Sequence, residues 1–115
     1  MRKLRRSICA ILPLVLRRKW FDEIRLGGKR EEYRDSTPYW AIRLSNWDNA
    51  PAEHHVVEFR LGYGHDAPRM AFCSPWYAVT DECRHPEWGE PDTLHYIIIL
   101  GERVELEEEA PNGRA

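Results

Sequence analysis

Lys19-Trp20-Phe21-Asp22-Glu23-Ile24-Arg25-Leu26-Gly27-Gly28-Lys29-Arg30-Glu31-Glu32-Tyr33-Arg34 changes its periodicity at the glycine pair, and that change sets the fold class. Trp20, Phe21 and Ile24 share one helical face, while Asp22, Glu23 and Arg25 can face water. The spacing predicts a short helix over 17–26. Gly27 and Gly28 end it, because glycine readily takes the left-handed conformation that follows a helix. Lys29 to Arg34 then reads as extended chain. In a regular strand Lys29, Glu31 and Tyr33 point one way, and Arg30, Glu32 and Arg34 the other. One reading of this segment is a solvated edge strand laced with weak ion pairs. The other sets one face of it against a ligand. Alternation alone separates Lys29 from Glu32, so bringing both to one site requires a twist or a bulge.

Upstream, Met1-Arg2-Lys3-Leu4-Arg5-Arg6 precedes the apolar run Ile8 to Leu16. This looks superficially like a signal peptide. The run is far too short to span a bilayer, and it ends in Arg17-Arg18-Lys19 with no nearby small-x-small cleavage pattern. Its alternation, Ile11, Pro13 and Val15 against Leu12, Leu14 and Leu16, suits a first strand. A cytoplasmic location without membrane association follows from that preference.

Downstream, Thr37 can cap a helix and Pro38 suits its first position. A short helix is expected over 38–44, with 45–53 as a polar loop that holds Trp47 and Pro51. His55 to Leu61 reads as a strand with Val57, Phe59 and Leu61 on one face. Gly62 to Pro68 is a turn. Arg69 to Ala78 is a further strand interrupted by Pro75, which argues for an edge or a bulge. Residues 80–93 read as loop. Leu94 to Leu100 is the central strand, apolar on both faces. Gly101 bends it, and Arg103 to Leu106 extends it. Glu107 to Ala115 is expected to be a frayed, disordered acidic tail. These elements give a mixed α/β, mainly β chain: a small closed or nearly closed barrel with one or two short helices. Closure would remove exposed edges. An open two-layer α+β sandwich is the alternative. One domain is expected over 1–106.

The formal net charge is −2 over 115 residues, but residues 1–20 hold seven basic residues and no acidic one. A bulk duplex binder needs a basic field over a whole face, which this distribution does not supply. A short single strand, a nucleotide or a modified nucleoside remains compatible. Three cysteines do not form a disulfide framework. Cys83-Arg84-His85 lacks the second ligand cluster that structural zinc requires. Phosphate loops, dinucleotide fingerprints and paired-histidine zinc helices are absent from the sequence. No metal or cofactor is therefore expected.

Several segments in order resemble one family. They are Leu12 to Leu16, Lys19 to Ile24, Gly27 to Arg34, Pro38-Tyr39-Trp40, Val57 to Gly64, Ala67 to Met70, Pro86 to Gly89 and Tyr96 to Leu100. Together they look like the phage and bacterial branch of ASCH-domain proteins, which belong to the PUA-like superfamily. The resemblance implies a PUA-like barrel with a helix near one opening. The family's signature, a glycine, then lysine and glutamate before a basic residue, matches Gly27/Gly28, Lys29, Glu32 and Arg34. In such domains this segment is thought to line a cleft for RNA or a nucleotide-like ligand. Some relatives resemble small amidohydrolases acting on acylated cytidine, and others have been described as ribonucleases. Lys29 matches the lysine of the amidohydrolase branch and Arg34 its arginine. Glu32 stands where that branch has a threonine. Its other glutamate has no secure match, with Glu58 and Glu87 the positions to inspect.

Lys29 can act as a point charge for a phosphate or carbonyl oxygen, or as a base if desolvated. Arg34 can fork onto a phosphate or a base edge, or simply pair with Glu32 or Glu58. Glu32 can accept from an exocyclic amine, orient Lys29, serve as general base or neutralise Arg34. Tyr63, in the Gly62-Tyr63-Gly64 turn, could present a ring for stacking. Trp40 could pack a helix or reach a ligand, and Trp88 could close the cleft from the opposite side. Three functions compete. The first is an RNA- or nucleotide-binding module with Lys29, Glu32, Arg34, Tyr63, Trp40 and Trp88 around its ligand. The second is a small metal-free hydrolase with Lys29 and Glu32 as catalytic residues. The third is a regulatory domain whose acidic tail contacts a protein partner.

Overall fold

The computed structural model describes residues 1–108. Among them are eight strands: β1 (Arg2–Arg5), β2 (Cys9–Leu16), β3 (Glu31–Asp35), β4 (His54–Leu61), β5 (Arg69–Cys73), β6 (Tyr77–Thr80), β7 (His95–Ile99) and β8 (Arg103–Glu107). Two helices, α1 (Arg18–Arg25) and α2 (Pro38–Asn49), complete the fold with two short 3-10 turns. The chain is thus mixed α/β and mainly β.

The strands form two sheets, in the orders β1-β8-β5-β4-β2 and β3-β7-β6. Both pack on one core. Leu12, Leu14 and Leu16 of β2 meet Val57 and Phe59 of β4, Phe21 and Ile24 of α1, Leu44 and Trp47 of α2, and Ile98 of β7. The β2 pattern is the alternation expected of a first strand, with Ala10, Leu12, Leu14 and Leu16 buried.

The two hydrogen-bonded ladders do not close into one ring. They approach at one corner, where the chain passes between sheets twice. Gly101 N donates to Cys73 O at 2.7 Å, Cys73 N to Glu102 O at 2.8 Å, and Ser74 Oγ to Ile99 O at 2.6 Å. A side chain at Gly101 would begin 2.8 Å from the Cys73 carbonyl oxygen, so only glycine permits this approach. Pro75 lies in the same corner. It divides the single strand expected over 69–78 into β5 of one sheet and β6 of the other. At the opposite seam, β2 and β3 are edge strands of different sheets.

Helix α2 extends to Asn49, past the expected end at 44. Trp40, Leu44 and Trp47 form an apolar stripe at helical spacing, with Leu44 and Trp47 buried. Ser45, Asn46, Asp48 and Asn49 are exposed on the other side, and their polarity is what suggested a loop. Trp47 Nε1 donates to Ala10 O at 3.0 Å, and Arg43 Nη2 to Pro13 O at 3.1 Å. The helix therefore covers edge strand β2, where a proline without an N–H is tolerated.

The sequence reading did not anticipate β1. It pairs in parallel with β8, and Leu4 is buried against Val56, Ala71 and Val104. Strand β7 is central to its sheet, as expected. Glu107 ends β8, and Glu108 accepts from Arg6 Nε at 3.1 Å, so the acidic segment is structured at its start. The rest of the expected tail, 109–115, lies outside the described residues. Among the described residues no helix is long and apolar enough to cross a membrane.

Candidate functional site

The seam between β2 and β3 is a cleft of about 280 Å³. Val15, Leu16 and Arg17 form one wall, Glu32, Tyr33 and Arg34 another, with Trp20, Lys29 and Gly89 between them. The charged residues of the opening sequence segment reach it through a departure from strand geometry. Gly27 takes a left-handed φ of 85° after α1, and the N–H groups of Gly28 and Lys29 both donate to Glu23 O. Lys29 is thereby fixed to the last turn of the helix, ahead of β3, and the strand's alternation does not govern its side chain.

Lys29 Nζ lies 3.0 Å from Glu32 Oε1, and Arg34 Nη1 lies 2.7 Å from Glu32 Oε2. Glu32 and Arg34 share one face of β3, so the carboxylate is held between two cations. Both Lys29 and Glu32 are 3% exposed. The ammonium also sits 4.1 Å from the centre of the Trp20 ring and 5.3 Å from that of Tyr33. A cation among aromatic faces and beside one carboxylate regains part of what burial removes.

Trp20 is itself held by a close approach of Gly89. The loop after β6 arrives with Gly89 in the left-handed conformation, φ 80°. A side chain there would begin 2.7 Å from Trp20 Cζ2. Buried Glu90 anchors this loop. Its Oε1 accepts from the N–H groups of Arg84 and His85, each at 2.8 Å. Its Oε2 lies 2.8 Å from His95 Nε2, and His95 Nδ1 lies 2.6 Å from Thr93 O. A carbonyl only accepts, so Nδ1 carries a proton. Burial works against ionisation of Glu90, yet the bonds from His95 and from the His85 and Arg84 N–H groups outweigh it and hold its carboxyl below the usual range. On the face of β3 opposite Glu32 and Arg34, Tyr33 donates to Glu31 Oε1 at 3.0 Å and meets His95 edge-on. Burial, reinforced by the Glu31 contact, pushes its phenol well up.

Of the residues singled out from sequence, Lys29, Glu32 and Arg34 converge on this cleft. Trp40 lies one step away, with the Arg34 guanidinium 5.2 Å from its ring centre. Trp88 stacks on His85, centroids 4.0 Å apart, and its neighbour Gly89 is the residue that lines the cleft. Tyr63 is 88% exposed in the β4–β5 turn and does not line the cleft. Glu58 is buried elsewhere, paired with Arg6 in a hollow of about 290 Å³ between β5 and β8. Burial opposes the Arg6 charge, but the Glu58 contact raises its pKa. Glu87 is exposed and contacts His85.

Sequence reasoning did not place Arg17, Trp20, Tyr33 or Gly89 at the site. The glycine pair between Trp20 and Lys29 was the available signal, since a helix stop there folds the two side chains toward each other. Chemically, the cleft offers one carboxylate acceptor flanked by two cationic donors, under an indole. No family model, curated protein or solved structure matches this chain.

Proposed function

We propose that the chain is an ASCH-type module that binds RNA or a nucleotide through one nucleoside-like group seated in the β2–β3 cleft. The observation that carries this reading is the convergence of Lys29, Glu32 and Arg34 on one small cleft. Their placement depends on a glycine-terminated helix and a residue held outside the strand. Burying a lysine and a glutamate this completely gives less stability than apolar packing of similar volume. A buried charge cluster retained in a cleft at that cost is a candidate for function for that reason. The cleft volume, about 280 Å³, lies near the lower end of small-ligand pockets, roughly 300–1,000 Å³. A pyrimidine-sized group presents an exocyclic amine for Glu32 and a carbonyl or ring nitrogen for Arg34 or Lys29. The PUA-like arrangement belongs to the same proposal. Two sheets sharing one core, with the cleft at their open seam, support it.

The Lys29–Glu32 contact also favours a second reading, hydrolysis of an acylated nucleoside. Water would add to the acyl carbon, the amine would leave with a proton, and a carboxylic acid would be released. Glu32 would take the proton from water, and Lys29 would hold the developing oxyanion. Equilibrium binding of cytidine, N4-acetylcytidine, a nucleoside monophosphate and a short single-stranded RNA tests both readings, with product analysis of each mixture. Saturable binding weakened tenfold or more in Lys29→Met, without product, supports the binding module. Product formation lost in Glu32→Gln supports the hydrolase. No binding and no product from folded protein would overturn both.

A further inference from the structure

The cleft shares edge strand β2 with another concavity. The second, about 380 Å³, runs between β2 and α2 and is lined by Ala10 to Pro13 with Arg43, Asn46, Trp47 and Ala50. No acidic residue lines it among the described residues. Arg43 stands at the junction. Its Nη2 donates to Pro13 O at 3.1 Å and its Nη1 to Tyr39 Oη at 3.3 Å. Its guanidinium lies 4.8 Å from the Trp40 ring centre, the same ring that carries Arg34 from the cleft at 5.2 Å. A continuous row therefore leads from Glu32 through Arg34 and Trp40 to Arg43.

Arg34 is paired with Glu32, but neither Arg43 nor Arg17, at the other lip of the cleft, forms an ion pair with a carboxylate among the described residues. The two contacts that hold Arg43 leave the remaining N–H groups of its guanidinium without acceptors among the described residues. A fixed cation with spare donors is suited to a phosphate oxygen. Arg17 at the lip of the cleft, and Arg43 held at Pro13 on the β2–α2 side, fit a ligand that has a phosphate on each side of one nucleoside.

We propose that Arg43 and Arg17 flank the cleft as phosphate contacts, so that the ligand is single-stranded RNA running along β2 from the cleft into the β2–α2 groove. The inference rests on the cleft reading above, because the single strand is set in register by the base it places there. A duplex cannot supply that base without unpairing it.

The test compares cytidine monophosphate with a single-stranded RNA hexamer on the full chain, at low and moderate salt. The variants are Arg43→Gln, Arg17→Gln and Arg43→Lys. The hexamer should bind at least tenfold tighter than the mononucleotide. Arg43→Gln and Arg17→Gln should each weaken hexamer binding roughly fivefold, and at least one should reduce that ratio, because cytidine monophosphate carries only one of the two phosphates. Each should also make the slope of log affinity against log salt shallower by about 0.7, the value for one phosphate contact on a single strand. Arg43→Lys should restore the slope but only part of the affinity. Arg17 is exposed, so its variant reads the same proposal even where Arg43→Gln loses stability. Hexamer affinity equal to that of the mononucleotide, or a ratio unchanged in both glutamine variants, overturns the track and leaves the cleft reading standing. Hexamer binding that depends on Arg43 and Arg17 without mononucleotide binding supports the track and removes the small-ligand version of the cleft. Absence of both overturns both.

Discussion

The Lys29 ammonium meets Glu32 Oε1 at 3.0 Å although the two residues belong to different elements, Lys29 to the turn after α1 and Glu32 to β3. Glu32 is the hub of this arrangement, since Arg34 binds its other oxygen. Removing the hub leaves one fully buried cation and one partly buried cation without a counter-charge. Removing Lys29 leaves Glu32 still paired with Arg34. Glu32→Ala should therefore destabilise the fold by about 3–5 kcal/mol, and Lys29→Met by clearly less. Urea unfolding of the two variants measures this, and equal losses would contradict the hub role.

Gly89 has a φ of 80° and no room for a side chain beside Trp20. Gly89→Ala should cost about 1–2 kcal/mol through the left-handed backbone alone, and it should displace the indole over Lys29. The indole N–H resonance of Trp20 and the urea midpoint together check the expectation. A shift in neither would mean that the loop does not hold the ring.

Glu90 has a folded-state pKa below its ordinary value of 4.5. A carboxyl depressed in this way contributes stability that is present above its unfolded value and is lost as pH falls through the folded one. Wild-type stability should therefore fall with acid from about pH 4.5 downward. Glu90→Gln should be less stable near neutrality and should show a shallower acid limb. Denaturant midpoints of both proteins across that range test this, and parallel acid limbs would remove Glu90 from the explanation.

The second half of α2 rests on Trp47, whose Nε1 binds Ala10 O. Trp47→Phe keeps much of the apolar surface but orphans that carbonyl, an expected loss of about 1–3 kcal/mol. Trp47→Ala adds a cavity and should lose about 3–5 kcal/mol. Thermal or urea melts distinguish the two, and near-neutral effects would contradict the packing described for residues 45–49.

The legible parts of the chain were those where one period dominates. The alternation of β2, the two-sided apolar run of β7 and the glycine stop after α1 all translate directly into structure. Helix α2 was read short because its exposed side is rich in Ser, Asn and Asp, which favour loops when burial is unknown. Strand β1 was hidden because Arg2-Lys3-Leu4-Arg5 buries only Leu4, and its pairing with β8 is a tertiary fact. At the site, the charged triad was visible as a cluster, but alternation put Lys29 and Glu32 on opposite faces. The helix-end bonds from Gly28 and Lys29 to Glu23 O resolve that conflict. Gly89 and Trp20 could not be joined from sequence, because β3, α2, β4, β5 and β6 lie between them in the chain.

The central claim is that Lys29, Glu32 and Arg34 form a binding site rather than a structural ion-pair network. A titration of isotope-labelled protein with N4-acetylcytidine, cytidine monophosphate and a short single-stranded RNA, followed by NMR, tests it most directly. Saturable shifts centred on residues 29–34, Arg17 and the Trp20 indole, abolished in folded Lys29→Met, are the expected result. Spectra unchanged by every ligand, or shifts confined to surfaces away from the cleft, would contradict it.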